Sequence, residues 1–304
     1  CEIYQSHSGR SNLMFVSSGK ELIEICNKKN ISIWEYTIGE EIEQSENNRK
    51  SVIEKMRSTL HVMMNSATYA QENKVQSVSG LIGGDAYKIK QYADRGETLT
   101  GAFMNRAMAR ALSSSEVNAA MGRIVACPTA GSCGILPAVV LSAGEKLNKT
   151  EDELINALFT AAGVGIIIAK NATLAGAEGG CQAECGSAAA MASAAVVEMM
   201  GGNPEQALSA AAIVIKNVLG LVCDPVAGLV EVPCAKRNIA GTVSALTTAD
   251  LVMSGVYSKI PFDEVVWAMY KVGRQLPSEL RETALGGIAI TPTALKYKKE
   301  IFKD

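Results

Sequence analysis

The sequence predicts an all-α fold, a single Ala/Gly-rich helical domain interrupted by loops. Three observations carry this. Apolar residues return at helical spacing along most of the chain, and period-two alternation scarcely occurs. Alanine-rich runs such as Ala188–Ala195 and Ala207–Ala212, with 27 glycines and only 5% aromatics, suit helices whose backbones pack closely.

Residues 1–13 differ in character from the rest of the chain. Met14-Phe15-Val16 would be a natural start, so 1–13 are expected to be an added leader, and Cys1 and His7 carry no functional argument. Residues 14–50 form an N-terminal polar and helical segment, with a short helix over Lys20–Lys28 and acidic punctuation from Glu35 to Glu46. From Asn48 to Asn73, Val52, Ile53, Met56, Leu60, Met63 and Met64 recur with a 3.6-residue period and predict the first long helix. Ser79-Gly80 and Gly83-Gly84 break the chain over 74–85, and helix returns around Gly101–Gly122. Cys127–Ser132 reads as a Pro/Gly loop, with Ser132 capping a helix to about Leu147.

Thr150 with Glu151–Glu153 resembles a capping box and opens a helix through Lys170. The Gly-rich stretch 171–186 reads as loop. Ser187–Met200 and Pro204–Leu219 read as helices, the second with proline in its first turn. Residues 221–238 read as irregular, Ile239–Tyr257 and Pro261–Val272 as helical, and the remainder as a charged tail. Arg123–Ala126 and Val226–Val232 are the short strand candidates. Residues 51–304 are expected to form one domain.

Composition narrows the function classes. A net charge of −2 gives no electrostatic footprint for nucleic acid or an anionic membrane. The longest apolar run, Ala157–Ala169, is short for a bilayer and bracketed by acids and Lys170, so no transmembrane helix is expected. A chain with 48% hydrophobic residues needs no disulfide staples, so the eight cysteines read as reduced thiols in the cytoplasm.

Cys181, Cys223 and Cys234 stand apart because each is flanked by glycine, proline or an acid rather than by a helical core pattern. The residues alone leave core thiols and metal ligands both open. Brought together, three thiolates suit an iron–sulfur cluster, zinc or copper(I). Neither a zinc ribbon's paired Cys-x-x-Cys nor a ferredoxin run is present. Three ligands leave one corner of a four-iron cluster free for Lewis-acid chemistry. Cys185 lies four residues after Cys181, but Gly179, Gly180 and Gly186 argue against a helix that would align the two. Cys127 and Cys133 read as small fillers and Cys26 as core. His61 on an apolar helix face reads as structural, and the catalytic base is unassigned.

Six motifs in order carry a family resemblance: Ser-Gly-Leu-Ile-Gly-Gly-Asp-Ala at 79–86, Pro-Thr-Ala-Gly-Ser at 128–132, Gly-Gly-Cys-Gln-Ala-Glu at 179–184, Cys-Asp-Pro-Val-Ala-Gly-Leu-Val-Glu-Val-Pro-Cys at 223–234, Arg-Asn at 237–238 and Arg-Glu-Thr-Ala-Leu-Gly-Gly-Ile-Ala at 281–289. From about Ser51 to Thr293 the chain resembles the catalytic (alpha) part of the iron–sulfur-dependent bacterial L-serine dehydratases. The resemblance implies a helical catalytic domain and a [4Fe-4S] cluster held by Cys181, Cys223 and Cys234. It implies conversion of L-serine to pyruvate and ammonia, and a separate beta (regulatory) subunit, with a homo-oligomer as the alternative. A cluster-dependent L-cysteine desulfidase and a non-catalytic iron–sulfur redox or sensor protein are the competing readings.

Substrate groups need their own partners. The 128–132 loop offers backbone N–H groups with the Thr129 and Ser132 hydroxyls. Ser79, Gly80 and Asp85 form a second polar turn. Arg237 suits a bidentate hold on a carboxylate, with Asn238 beside it.

Overall fold

The computed structural model describes residues 15–303, so the expected leader lies outside the described residues. Its helices are α1 (Gly19–Lys29), α2 (Ile33–Ser45), α3 (Arg49–Glu72), α4 (Asp85–Asp94), α5 (Gly101–Ala119), α6 (Ile135–Lys146), α7 (Glu151–Asn171), α8 (Gly176–Gly179), α9 (Ser187–Met199), α10 (Pro204–Asn217), α11 (Cys234–Met253), α12 (Phe262–Gln275) and α13 (Pro292–Phe302). Among the described residues there is no strand, only isolated bridges at Gln76–Gly83 and Cys223–Arg281. The all-α expectation holds.

Helix α9 is the axis of the fold. It packs against α6, α7, α10 and α11, and every one of its residues except Glu198 is buried. Its sequence is apolar or small all round, the pattern of a helix enclosed on every side. Helix α5 forms a second hub against α3, α4, α6 and α11. Residues of α1 and α2, among them Leu22, Ile33 and Ile38, belong to the same hydrophobic core as α7, α9 and α10. Helix α7 alone of the described helices is long and apolar enough to cross a membrane, and it is packed against α2 and α9.

Several boundaries differ from the sequence expectation. Helices α2, α4 and α13 are additional. α4 buries only Ala86 and Ala93, and α13 only Ala294, so neither shows an apolar stripe to betray it. Ser132 does not cap the long helix. It ends a 3₁₀ turn, Ala130–Ser132, whose own cap is Thr129, and α6 starts at Ile135. Residues 171–186 are not all loop: they hold α8 and a π-turn at Gln182–Gly186 that runs directly into α9. Helix α11 begins at Cys234, inside the stretch read as irregular. The candidate strand at 226–232 contains a 3₁₀ turn with Ala227 at φ 57°.

Helix starts leave backbone N–H groups without intrahelical partners. Local side chains satisfy some: Ser18, Asn48, Thr150 and Asn203 accept from residues three ahead. Others are satisfied from afar. Asp263 on α12 accepts from Gly19 N (2.6 Å) and Lys20 N (3.0 Å) at the start of α1. Glu198 on α9 accepts from Ile33 N (2.6 Å) at the start of α2, and Glu116 on α5 accepts from Asp85 N (2.6 Å) at the start of α4. These carboxylates join the helix-terminal dipole term to tertiary packing.

Asp263→Ala should therefore lower unfolding stability by about 1 kcal/mol, as loss of a cap does. A shift of the urea midpoint checks this, and Asp263→Asn should recover part of the loss.

Candidate metal centre

Cys181 precedes the π-turn, Cys223 lies in the α10–α11 connection, and Cys234 is the first residue of α11. Cys181 and Cys223 are buried and Cys234 is partly so; all seven described cysteines carry free thiols. The three occupy one neighbourhood. Burial raises Cys223 most, and the negative charges of Glu184, Cys181, Glu282 and Cys234 raise it further. Burial, then the charge of Cys181, pushes Cys234 up to about 12. Cys181 is the exception. Its hydrogen bond with Cys185 and the nearby Arg237 guanidinium hold it below the usual thiol range.

The π-turn explains Cys185. It continues the helical path through the glycines, so the sulfurs of Cys181 and Cys185 stand 3.3 Å apart, although the glycines argued against a common face. The hydrogen bond with Cys181, and then burial, raises Cys185 above the usual thiol range. Single-turn π insertions are frequent at functional sites.

Three buried polar side chains hold the irregular segments in place. Gln182, fully buried, donates to Gly179 O (2.9 Å) and Met269 O (3.0 Å) and accepts from Gly220 N (3.0 Å). Asp224, beside Cys223, accepts from Arg237 Nη2 (2.8 Å) and from Ile288 N (2.7 Å). Asn238 accepts from Gly134 N (2.8 Å) and donates to Gly131 O (2.8 Å) and Cys234 O (2.9 Å). It thus ties the 130–134 turn to the first turn of α11. Cys223 is paired on both sides with the 280–282 segment: its N–H donates to Leu280 O (2.9 Å), and its carbonyl accepts from Glu282 N (2.7 Å).

Glu184 is the residue that sequence reasoning missed. It is buried among these groups, and burial raises its carboxyl above the usual range, while hydrogen bonds from Thr129 and the Gly176 backbone lower it. Two glycines make room for it. A Cβ at Gly176 would lie 2.7 Å from Glu184 Oε2 and 3.1 Å from Cys223 Sγ, and one at Gly131 would lie 3.4 Å from Glu184 Oε2. The signal was in the sequence, an acid closing Gly-Gly-Cys-Gln-Ala-Glu, but it carried no partner.

The other sequence candidates divide. Arg237 faces Cys181 and Asn238 bonds the Cys234 carbonyl, while Thr129 reaches Glu184 and meets Ser132, Oγ1 to Oγ, at 3.1 Å. Besides facing Cys181, Arg237 braces the site, with Nη1 donating to Val222 O (2.8 Å) and Nη2 to Asp224 (2.8 Å). Asp85 is linked to α11 through Lys236 Nζ (2.7 Å); burial opposes its ionisation, but hydrogen bonds from Lys236 and Lys88 hold it below the usual carboxylate range. Ser79 instead donates to buried Glu231 (2.7 Å), and with Gly80 it lines a separate cavity of about 520 Å³ beneath α13. His61 is exposed on α3 and pairs with Glu151, not with this site.

Among the described residues no three His, Cys, Asp or Glu side chains converge at the spacing of a single ion. The donor chemistry, three thiols from separate segments in one neighbourhood, fits a thiolate-held cluster rather than a single ion.

The family model for the serine dehydratase alpha chain matches residues 28–289. The chain belongs to that family. It is 50% identical to the probable L-serine dehydratase alpha chain of Bacillus subtilis, over 93% of this chain and 94% of that one. It is 48% identical to the L-serine dehydratase alpha chain of Peptoniphilus asaccharolyticus, over 95% and 99%. The L-serine dehydratase of Helicobacter pylori is 33% identical over 90% of this chain, which covers 61% of that longer protein.

Asn238→Ala should cost about 1–3 kcal/mol, because Gly134 N–H and Gly131 C=O lose buried partners. Denaturant unfolding followed by circular dichroism reads this directly.

Proposed function

We propose that the chain is the catalytic chain of an iron–sulfur L-serine dehydratase, with Cys181, Cys223 and Cys234 holding a [4Fe-4S] cluster. The observation that carries this is the gathering of three thiols from separate segments around the buried carboxyl of Glu184. Names of the relatives supply the substrate. When bound, the cluster supplies a Lewis acid for the β-hydroxyl of serine, a poor leaving group at neutral pH.

The chain's own residues supply the rest. Glu184 takes the proton from the α-carbon of serine at a carboxylate oxygen. Thr129 orients that carboxylate by its hydrogen bond. Arg237 and Asp224 keep Cys223 and the first turn of α11 in place, and the absence of side chains at Gly131 and Gly176 lets the Glu184 carboxyl pack closely between them. Loss of the α-proton and the β-hydroxide leaves aminoacrylate, which tautomerises to the imine and hydrolyses to pyruvate and ammonia. Reducing cytoplasm suits such thiols.

A second chain completes the enzyme. The relatives matched nearly end to end are named alpha chains, whereas the Helicobacter pylori protein carries substantial further sequence in one polypeptide. A beta chain is the counterpart of that extra portion, and L-serine and this chain are its partners in one complex.

Anaerobically purified protein should be brown, contain iron and sulfide, and form pyruvate from L-serine. Cys181→Ala, Cys223→Ala and Cys234→Ala should each lose colour and activity, while Cys26→Ala keeps both. Full activity after aerobic dialysis against a chelator would overturn the cluster reading.

Glu184→Gln should lower kcat about 10²-fold or more, the scale of a lost general base, with iron content unchanged. Because its carboxyl is raised, wild-type activity should fall as pH drops through a limb lying above the ordinary glutamate range. Glu184→Gln should lack that limb. A pH–rate profile identical to wild type removes Glu184 from the proposed chemistry.

A further inference from the structure

We infer that Arg281 is the residue that binds the carboxylate of the amino-acid substrate, an inference that rests on the dehydratase reading. Its main chain is locked to Cys223: the Cys223 N–H donates to the residue before Arg281, and the residue after it donates to the Cys223 carbonyl, at 2.9 and 2.7 Å. In-register pairing directs paired side chains to the same face, so Arg281 leaves the backbone on the side that Cys223 faces. Glu282, the next residue, is close enough for its charge to raise both Cys223 and Glu184, which places this segment at the edge of the site.

The guanidinium itself is uncommitted. Among the described residues Arg281 makes no ion pair and no side-chain hydrogen bond, although its Nε–H is buried. A buried donor without a partner forfeits its hydration with nothing in return, and a charged one forfeits more. The two basic residues that follow Cys234 are already engaged. Arg237 gives both Nη groups to Val222 O and Asp224, and Lys236 is bound to Asp85. Arg281 therefore alone among these three presents a free planar fork, Nε with one Nη, matched to the two oxygens of a carboxylate. The chain reverses at once after it, through Glu282 at φ 66° and Ala284 at φ 56°, so the side chain is carried on a tight, fixed turn.

L-Alanine and L-alaninamide provide the test, since neither carries a leaving group and only the first has a carboxylate. Calorimetric titration into the iron-loaded holoenzyme under nitrogen should show wild type binding L-alanine about 10- to 100-fold more tightly than L-alaninamide, the scale of a charge-assisted hydrogen-bonded pair. Arg281→Gln should lose this preference and show a matching rise in KM for L-serine, with iron and sulfide content unchanged. Arg281→Lys, which keeps charge but not the fork, should fall between the two and serves if the glutamine variant does not fold.

Wild-type preference for L-alanine in both variants overturns the assignment. So does an altered cluster spectrum with the preference intact, which would mean that Nε serves the cluster. If wild type itself takes up no iron and turns over no L-serine, the dehydratase reading fails first; the Arg281 inference fails alone when wild type passes and the variants match it.

Discussion

Buried backbone outside regular helices must still find hydrogen-bond partners, and in an all-α protein no sheet is available to supply them. The thiol-bearing segments meet this constraint with side chains. Gln182 serves α8, α12 and the segment after α10, Asp224 serves the 287–290 turn, and Asn238 serves the loop ahead of α6. Each is almost fully enclosed, at 0%, 2% and 1% exposure, so each bond forms where water cannot substitute. The thiols then inherit their positions from a polar scaffold that is as specific as a core. Aliphatic packing alone would not fix them, because it has no directional preference for where a loop carbonyl points.

Electrostatics divides the same site in two. Burial opposes thiolate formation at Cys223 and Cys234, whereas Arg237 and Cys185 favour it at Cys181. A thiophilic cation would reverse the penalty at the first two, so metal uptake and deprotonation are linked steps at this site. Glu184 adds a carboxyl whose raised affinity for a proton comes from the same dry surroundings.

Much of the fold was legible in residue pattern. Helical periodicity gave α3, α7, α9 and α10, and the Thr150 and Pro204 signals placed two helix starts closely. What failed was legibility where burial is slight or the helix is continued by tertiary contact. α13 fully buries only Ala294, and the π-turn forms through glycines that local propensity assigns to loop. At the site, the thiols and the motif residues Thr129, Arg237 and Asn238 were visible as types. Their roles were not. Arg237 turned out to be tied to a carboxylate within its own chain, which no local pattern announces, and Glu184 became conspicuous only once its neighbours from distant segments were in place.

The carboxylates that finish α1 and α2 have a consequence for how the chain is made. Asp263 and Glu198 stand far downstream of the helix starts they complete. During synthesis the amino-terminal helices leave the ribosome long before those acceptors exist, and short helices are marginal alone in water. Their first turns therefore rely on the local caps Ser18 and Ser32 until α9 and then α12 emerge. A truncation that removed α12 would accordingly be felt at α1, which would lose the Asp263 acceptor of its first two N–H groups.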